Sequence, residues 1–359
     1  MLLLLFCLLV LGFSGAAAEE SLNDWPVIAV VAQDLRFYQE SSIFGEDVPE
    51  GQYIAASYVE WIESAGGQVL PVPYDISHEY VDEILASCNG LLLPGGMGDI
   101  SEGWDYGLKE IMRMNKSGKF FPLWGTCLGF EWMVQAYSDA DADAILEGDL
   151  DSMNYTLALD FEVVPEGYAS EEEGQAEHKE DAENAENGDA SGSRASRMFG
   201  PDALPLELFK KLGKQRLAFN AHEKGVDTAA WWADEALCSA FRVLSVNKDR
   251  QGRPFVSSIE GRSGMPLYGV QWHPEKNMAE WGVKDDKPYS VIDHSPEGIA
   301  VSWHLAMFFV SEARKNTNVF PLGETDALIY GDPVTTISQP VFCESYFFAP
   351  DFLFWPYDR

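Results

Sequence analysis

The strand-to-helix turn around Cys127 constrains the fold of this chain more than any other segment. An apolar run from Phe121 predicts a short buried strand, and residues 128–137 are suited to a helix. Gly125 and Gly129 lie two residues before and two residues after Cys127. A tight turn between a strand and a helix needs small residues at these places, because larger side chains would collide. We therefore predict that Cys127 projects from the edge of a sheet at the start of a helix.

This position suits a thiol nucleophile. The amino-terminal end of a helix carries a partial positive charge, which favours the thiolate, the reactive form of cysteine. The turn thus predicts Cys127 as a reactive nucleophile. The alternative is that Cys127 is a small buried hydrophobic residue, the usual state of a free cysteine.

Upstream of this turn, apolar strands alternate with helices. The chain has 359 residues, enough for one large or two ordinary domains. The predicted strands are 26–32, 68–73 and 90–96, and the predicted helices are 53–65, 80–87 and 104–115. This alternation predicts a doubly wound α/β fold, with a mainly parallel sheet and helices on both faces.

The composition changes in the second half of the chain. Residues 166–192 are rich in Glu and Asp and almost free of apolar side chains, so we predict a disordered acidic insertion. The elements predicted after it are helices at 206–212 and 299–313 and a meander of strands at 241–247, 256–260 and 267–271. We expect one catalytic domain over 24–348, and an aromatic-rich C-terminal segment that packs on the body and ends in a tail, 349–359.

The first residues resemble a secretory signal peptide. The chain is almost wholly apolar to Gly12, and Ala16 to Ala18 form a small-residue cleavage site, although no Lys or Arg precedes them. We predict a signal peptide over 1–18 and entry into the secretory pathway. Asn115 and Asn154 begin N-glycosylation sequons, which fit this route.

The charge of the chain limits its partners. The formal net charge is −34, so binding of nucleic acid or of an anionic membrane is not expected, because phosphate recognition needs a basic surface. Once the signal peptide is removed, no remaining stretch is apolar enough to span a membrane. The partner we predict is a small-molecule substrate. The sequence leaves the oligomeric state open, with a homodimer as one alternative.

The cysteines indicate neither a disulfide scaffold nor a metal site. Of the five cysteines, Cys7 leaves with the signal peptide. If Cys127 is a free nucleophile, the other three allow one disulfide at most. Because no Cys-x-x-Cys and no close pair of histidines is present, we predict no metal and no cofactor.

His273 is the best candidate for the base that serves the cysteine. It ends the strand predicted at 267–271, and Pro274 then turns the chain away. His273 should therefore lie at the carboxyl edge of the sheet, where sites of open α/β sheets form. Glu275 follows two residues later and could orient the imidazole, the third role in a Cys-His-acid arrangement.

A glycine pair is a candidate for the oxyanion hole. Gly95 and Gly96 end the strand that precedes the Cys127 strand, so their N–H groups and that of Leu128 should converge at one sheet edge. An ordinary glycine turn explains the pair equally well.

Three motifs of the chain resemble those of a known family. The motifs are Leu-Pro-Gly-Gly at 93–96, Gly-Thr-Cys-Leu-Gly-Phe-Glu at 125–131 and Gln-Trp-His-Pro-Glu-Lys at 271–276. They resemble the class I glutamine amidotransferase-like superfamily and, within it, the γ-glutamyl hydrolase family. Segments 53–59, 63–66, 196–199 and 308–316 resemble that family specifically, and the resemblance runs over about 26–348, apart from the acidic insertion.

The resemblance implies a flavodoxin-like α/β fold and a secreted, lysosomal or vacuolar hydrolase that removes γ-linked glutamate from folylpoly-γ-glutamates. It implies Cys127 as nucleophile and His273 as proton donor. His222, at the end of the segment 219–222, is similar to a second important histidine of the family. Glu275 corresponds to the acid of the superfamily's triad.

Two questions about specificity stay open at this stage. The substrate carries several carboxylates, and Arg197, Lys224 and Lys276 are candidate cations by their sequence proximity to the motifs. The alternative functions are a glutaminase-type amidotransferase domain, a secreted cysteine peptidase acting on α-peptides and an inactive binding protein.

Overall fold

The structure is a computed structural model that describes residues 22–38, 50–161, 193, 195–284, 287–288, 291–336 and 342–352. The predicted signal peptide, 1–18, and the predicted acidic insertion, 166–192, lie outside the described residues. In the part of the chain that is described, no helix is both long enough and apolar enough to cross a membrane.

The elements follow one another in a largely alternating order. The strands are β1 (Val27–Val31), β2 (Gln33–Asp34), β3 (Gln52–Ala55), β4 (Gln68–Val72), β5 (Gly90–Leu93), β6 (Leu123–Thr126), β7 (Leu146–Glu147), β8 (Ser152–Leu157), β9 (Ala218–His222), β10 (Gly225–Val226), β11 (Phe241–Lys248), β12 (Pro254–Gly261), β13 (Leu267–Val270), β14 (Val283–Lys284), β15 (Lys287–Pro288), β16 (Val334–Thr336) and β17 (Glu344–Phe348). The α-helices are α1 (Ala56–Ser64), α2 (His78–Ser87), α3 (Glu102–Lys116), α4 (Leu128–Tyr137), α5 (Ala142–Ile145), α6 (Leu206–Leu212), α7 (Thr228–Ala233), α8 (Glu235–Ala240), α9 (Lys276–Ala279) and α10 (Pro296–Arg314). Short 3₁₀ helices cover Leu35–Tyr38, Leu322–Ala327 and Ile329–Gly331.

A seven-stranded sheet forms the centre of the molecule. Its strand order is β11-β12-β13-β6-β5-β1-β4, with β13 to β4 parallel and β11, β12 and β13 antiparallel to one another. This arrangement confirms the predicted mainly parallel sheet and the predicted meander. Because parallel strands share one carboxyl edge, the segments after β5, β6 and β13 meet there.

Helices cover both faces of this sheet. The side chains of β1 alternate between two hydrophobic clusters, with Ala29 in one and Ile28 and Val30 in the other. Helices α2, α3 and α4 contribute to the first cluster, and α1 and α10 contribute to the second. A strand that is buried on both faces must be apolar throughout, which is why the strand sequences are continuous hydrophobic runs.

Three helices begin earlier than their apolar periodicity indicates. The hydroxyl groups of Ser77, Ser101 and Ser295 accept hydrogen bonds from backbone N–H groups three residues further on, at 3.2 to 3.4 Å. A serine at this position satisfies an N–H group that has no partner within the helix. Helices α2, α3 and α10 therefore start directly after the capping serine and not at the first apolar residue.

The predicted helix 53–65 is partly wrong. Residues Gln52–Ala55 form strand β3, and the helix begins only at Ala56. Strand β3 lies between β2 and the C-terminal strand β17 in a second, four-stranded sheet. Since β17 is distant in sequence, the local pattern could not reveal this pairing. The predicted packing of the aromatic C-terminal segment on the body is seen in the described part of that segment, as strand β17.

Candidate active site

The turn around Cys127 has the predicted geometry. A Cβ atom added to Gly125 would lie 2.6 Å from Met133 Sδ, and one added to Gly129 would lie 2.1 Å from the Leu93 carbonyl oxygen. Neither position can hold a larger residue. Cys127 itself adopts φ 53° and ψ −109° at the start of α4. Positive φ is uncommon outside glycine, and such strained residues cluster at functional sites.

The thiol of Cys127 is nearly enclosed by protein. The side chain is 5% exposed, and the backbone N–H of Leu128 lowers the pKa of the thiol. The side-chain amide of Gln271 lies 3.8 Å from the sulfur. The thiol therefore has one backbone donor and one side-chain amide as close neighbours.

The resting thiol is neutral. Burial raises the pKa of Cys127 well above its usual value, and the charges of Glu131 and Glu275 raise it further. The Leu128 N–H and the charge of Lys276 lower this pKa but do not outweigh the burial. The expectation that the helix start alone favours the thiolate is thus wrong. The thiolate has to form by proton transfer to a neighbouring base.

His273 and Glu275 form a buried hydrogen-bonded pair. His273 Nδ1 lies 2.7 Å from Glu275 Oε1, and the two side chains are 6% and 1% exposed. Burial opposes ionisation of Glu275, but the charge and the hydrogen bond of His273, with a contribution from Lys276, hold the pKa of this carboxyl below its usual value. Glu275 is therefore placed to fix the tautomer of His273, with Nδ1–H donating and Nε2 left as the basic nitrogen.

The pair lies beside Cys127. A Cβ atom added to Gly95 would be 2.7 Å from His273 Cε1 and 3.2 Å from Cys127 Cβ. The glycine thus leaves the space in which the two side chains meet. The sequence predicted that Cys127, His273 and Glu275 converge at one sheet edge, and the structure brings them together.

Tyr58 is a site residue that the sequence analysis did not single out. Its hydroxyl accepts a hydrogen bond from the Gly95 N–H at 2.7 Å and lies 3.4 Å from His273 Nδ1. Helical spacing in α1 marked Tyr58 only as a core position. No local signal distinguishes it, because its polar contacts are to residues far along the chain.

The predicted oxyanion hole needs a correction. The N–H of Gly95 is already donated to Tyr58, so in this structure it does not point at a reacting carbonyl. Leu128 is the first residue of α4 and directly follows Cys127, so its N–H stays the predicted donor to the oxyanion that would form on the attacked carbonyl oxygen. Gly96 is partly exposed one residue beyond Gly95, and its role as a donor stays a prediction.

Gln271 and Glu131 form a second buried pair beneath the sulfur. The Gln271 amide nitrogen donates to Glu131 Oε1 at 2.9 Å, and both side chains are almost fully buried. Burial raises the pKa of Glu131 to about 7, against the lowering effects of Gln271 and Lys224. Both residues lie within the sequence motifs, but nothing in their spacing predicted the pair.

The raised pKa of Glu131 predicts a dependence of stability on pH. Between the ordinary value near 4.3 and the folded value, only the folded state holds the proton, so stability falls as the pH rises through this window. The loss from this group is about 3 kcal/mol by pH 7.5. About 1 kcal/mol of this loss has already occurred at pH 5.0, so Glu131→Gln should lose about 2.5 kcal/mol less than the unsubstituted protein between pH 5.0 and pH 7.5. Urea unfolding at both pH values measures this difference. Equal losses in both proteins would contradict it, and Glu79→Gln, on the exposed start of α2, is the control.

His222 lies near the pair but makes no hydrogen bond with it. It ends β9, and its Nδ1 lies 2.6 Å from the Lys224 carbonyl, while Nε2 lies 3.3 Å from Asn220 Oδ1. Burial lowers the pKa of His222 to about 4, and the charge of His273 lowers it as well. At neutral pH the ring is therefore uncharged, and the geometry makes it a neighbour of His273 and not its hydrogen-bonding partner.

The three candidate cations differ sharply in position. Lys224 is exposed, two residues after His222, and its charge lowers the pKa of Glu131. Lys276 is fully buried, 3.7 Å from Glu280 and 4.5 Å from the ring centre of Phe342. Lys276 therefore influences the site through its charge, which lowers the pKa values of Cys127 and Glu275.

Arg197 is not placed to bind substrate. Its guanidinium contacts Glu312 at 3.2 Å and the Met265 carbonyl at 2.5 Å, and it lies over the ring of Tyr268. These groups are at the amino end of β13, whereas Cys127 lies at the carboxyl edge of the sheet. The prediction that Arg197 contacts the substrate is therefore wrong. Arg197 is close to a motif in sequence, but it lies at the opposite edge of the sheet from Cys127.

The two predicted glycosylation sites have different surroundings. The amide nitrogen of Asn115 donates both its hydrogens, to the carbonyls of Ile111 at 3.0 Å and Phe121 at 2.8 Å. A glycan would replace one of these hydrogens, so this geometry argues against modification of Asn115. Asn154 is half-buried at an irregularity in β8, and a glycan there stays a prediction.

A cavity of about 810 Å³ lies elsewhere on the molecule. It opens between the β11–β12 hairpin, β8 and α7, and its lining includes Tyr155, Trp232 and Arg250. None of the residues around Cys127 contributes to it. We therefore locate the candidate active site by its chemistry and not by the size of this cavity.

Comparisons with known proteins show which family the chain belongs to. Residues 52–284 match the family model described as glutamine amidotransferase class-I. The chain is 33% identical over 359 residues to γ-glutamyl hydrolase from Mus musculus, covering 97% of this chain and 98% of that protein. It is 32% identical to γ-glutamyl hydrolase from Homo sapiens, covering 96% and 98%. Among solved structures, the glutaminase domain of Trypanosoma brucei CTPS with bound acivicin is similar with a TM-score of 0.45 and 16% identity, covering 82% of this chain and 96% of that one.

The family match spans well over half of the chain, and the identity to the mammalian proteins extends over nearly its full length. Cys127, His273 and Glu275 all lie within the region of the family match. The chain therefore belongs to the γ-glutamyl hydrolase family, within the class I glutamine amidotransferases.

Proposed function

We propose that this protein is a cysteine hydrolase that cleaves the γ-glutamyl bonds of folylpoly-γ-glutamates through a thioester on Cys127. The observation that carries the mechanism is the meeting of the strained Cys127 turn with the buried His273–Glu275 pair. Family membership supports the choice of bond, because the relatives above are γ-glutamyl hydrolases.

The reaction begins with proton transfer from Cys127 to His273. The thiolate attacks the carbonyl carbon of the γ-amide, which forms the C–S bond and a tetrahedral oxyanion. The N–H of Leu128 is the donor best placed to stabilise that oxyanion. The C–N bond then breaks as His273 returns its proton to the departing amine, and a γ-glutamyl thioester remains.

Hydrolysis of the thioester completes the cycle. His273 takes a proton from water, and the resulting hydroxide attacks the thioester carbonyl. The C–S bond breaks, the free γ-carboxylate leaves, and the sulfur regains its proton from His273. Glu275 stabilises the imidazolium in both halves of the reaction, because it accepts the Nδ1–H bond at 2.7 Å.

The charge of the substrate limits how it can bind. Each glutamate of the substrate carries a carboxylate, whereas the protein has a formal net charge of −34. Lys224 is the exposed cation whose charge reaches the site, and we assign it to a substrate carboxylate. Delivery through the secretory pathway to a lysosome, a vacuole or the cell exterior forms part of this proposal and is supported by the apolar N-terminal sequence.

Product chromatography tests the proposal. The protein is incubated at acid pH with pteroylpentaglutamate, and shorter pteroylglutamates with released glutamate or glutamyl peptides are expected. Free glutamine and casein serve as parallel substrates. Ammonia release from glutamine, or casein cleavage, without any shortening of the γ-glutamyl chain would contradict the proposal and favour a glutaminase or an α-peptidase.

A further inference from the structure

Gln33 is a buried polar side chain without a partner. It follows β1 as the first residue of β2 and is 1% exposed, yet among the described residues neither its amide oxygen nor its amide nitrogen has a hydrogen-bond partner. Buried amides are nearly always satisfied, and an unsatisfied one costs stability.

Gln33 lies next to the catalytic pair. A Cβ atom added to Gly96 would be 2.2 Å from Gln33 Oε1, so the carboxamide rests against that glycine. The preceding glycine, Gly95, separates His273 from Cys127 in the same way. Gly95 therefore lies beside the reacting groups, and the next residue, Gly96, lies beside the unsatisfied amide.

Two tyrosine hydroxyl groups lie near Gln33. The Tyr38 hydroxyl is 2.9 Å from the same point beside Gly96, and the Tyr53 hydroxyl lies 2.7 Å from that of Tyr38. Gly96 is partly exposed and Met97 is 40% exposed, and both follow Gly95, where an added Cβ atom would be 3.2 Å from Cys127 Cβ. A substrate bound at Cys127 would therefore lie beside the segment that covers Gln33.

A structural role does not account for this residue. An apolar side chain of similar volume, such as methionine, would fill the space without leaving polar atoms unsatisfied. Residues that lower stability without a compensating contact are typical of functional sites. Gln33 also precedes the region 52–284 of the family match, which therefore assigns it no role.

We infer that Gln33 recognises the α-carbon substituents of the γ-glutamyl residue whose carbonyl is attacked by Cys127. This inference rests on the proposed function. The amide nitrogen would donate to the α-carboxylate, and the amide oxygen would accept from the α-N–H. One carboxamide matches both groups, because they are attached to the same carbon.

The same contact separates γ-linked from α-linked glutamate. In a γ-linked residue, two methylene groups lie between the attacked carbonyl and the α-carbon. In an α-peptide the α-carbon is bonded directly to that carbonyl, so its substituents cannot reach Gln33 while the carbonyl contacts the sulfur. An α-linked substrate would then leave the buried amide unsatisfied, which is an effective basis for discrimination.

Two matched substrates and a conservative variant test this inference. The first substrate is p-aminobenzoyl-γ-glutamyl-glutamate, and the second has 4-aminobutyrate in place of the γ-glutamyl residue and so lacks only the α-carboxylate. Gln33→Met should lower kcat/KM for the first by roughly 10- to 100-fold and for the second by less than about threefold. Gln68→Met, on the amino end of β4, is the control and should change neither value.

Thermal unfolding of the free protein supplies a second readout. Gln33→Met should unfold at the same temperature as the unsubstituted protein or up to about 2 °C higher, because an unsatisfied amide is removed. If the methionine variant does not fold, Gln33→Glu replaces it. Its carboxylate would repel the α-carboxylate, and so it should prefer the 4-aminobutyryl substrate.

The outcomes separate the two proposals. Equal losses on both substrates, or no loss on either, would overturn the role of Gln33 while γ-glutamyl hydrolysis by the unsubstituted protein stands. If the unsubstituted protein cleaves neither substrate nor pteroylpentaglutamate, the proposed function itself fails.

Discussion

Cys127→Ala should reduce the rate of γ-glutamyl hydrolysis by at least about 10⁴-fold, because loss of a covalent nucleophile removes the whole thioester route. The substituted side chain is smaller and lies in a turn that the flanking glycines already fix, so the fold should be retained. Product chromatography with pteroylpentaglutamate measures the rate, and circular dichroism checks the fold.

Cys238→Ala is the matched control for this substitution. Cys238 is a free, half-buried thiol at the C-terminal end of the short helix α8 and is not part of the site. Its loss should leave the rate within about twofold of the unsubstituted protein, as is usual for changes away from a site. A Cys127→Ala protein that still shortens the γ-glutamyl chain at an appreciable rate would rule out the thioester mechanism.

His273→Ala has the second largest expected effect, a fall in kcat of about 10³- to 10⁴-fold. Burial keeps the Cys127 thiol neutral at rest, so without His273 there is no adjacent base to accept its proton. The same variant should react more slowly with iodoacetamide, which alkylates only the thiolate. Measuring both rates separates loss of the base from loss of substrate binding.

His304→Ala is the control for the histidine substitution, since His304 lies within α10 and outside the site. It should leave both the hydrolysis rate and the alkylation rate nearly unchanged. Alkylation of His273→Ala at the same rate as the unsubstituted protein would mean that another group takes the proton from Cys127. His222 would be the next residue to test, although burial lowers its pKa to about 4.

The parts of the site that sequence predicted are those fixed by local sterics. Gly125 and Gly129 leave no room for a side chain, so the turn that places Cys127 follows from five consecutive residues. His273 and Glu275 are separated by a proline turn at a strand end, which also is a local signal. Parallel strand order then brings the two local features to one edge.

The parts that sequence missed depend on contacts between distant segments. Tyr58 was marked as a core position, and only the tertiary structure shows its hydroxyl between Gly95 and His273. The Gln271–Glu131 pair depends on β13 lying beside β6. Arg197 was assigned wrongly for the same reason, since sequence distance from a motif does not say which end of a strand a residue lies near.

The pairing of β3 with β17 has a consequence for synthesis of the protein. Gln52 at the start of β3 donates a hydrogen bond to Pro350, 298 residues later in the chain. At about 5–20 residues per second, the ribosome takes on the order of 15–60 s to produce the partner strand after β3 has emerged. During that interval one edge of β3 remains open to other strands. The nascent chain therefore has to be protected from association until β17 is made. Helix α1, which follows β3 and carries Tyr58, also packs against β17 only after that point.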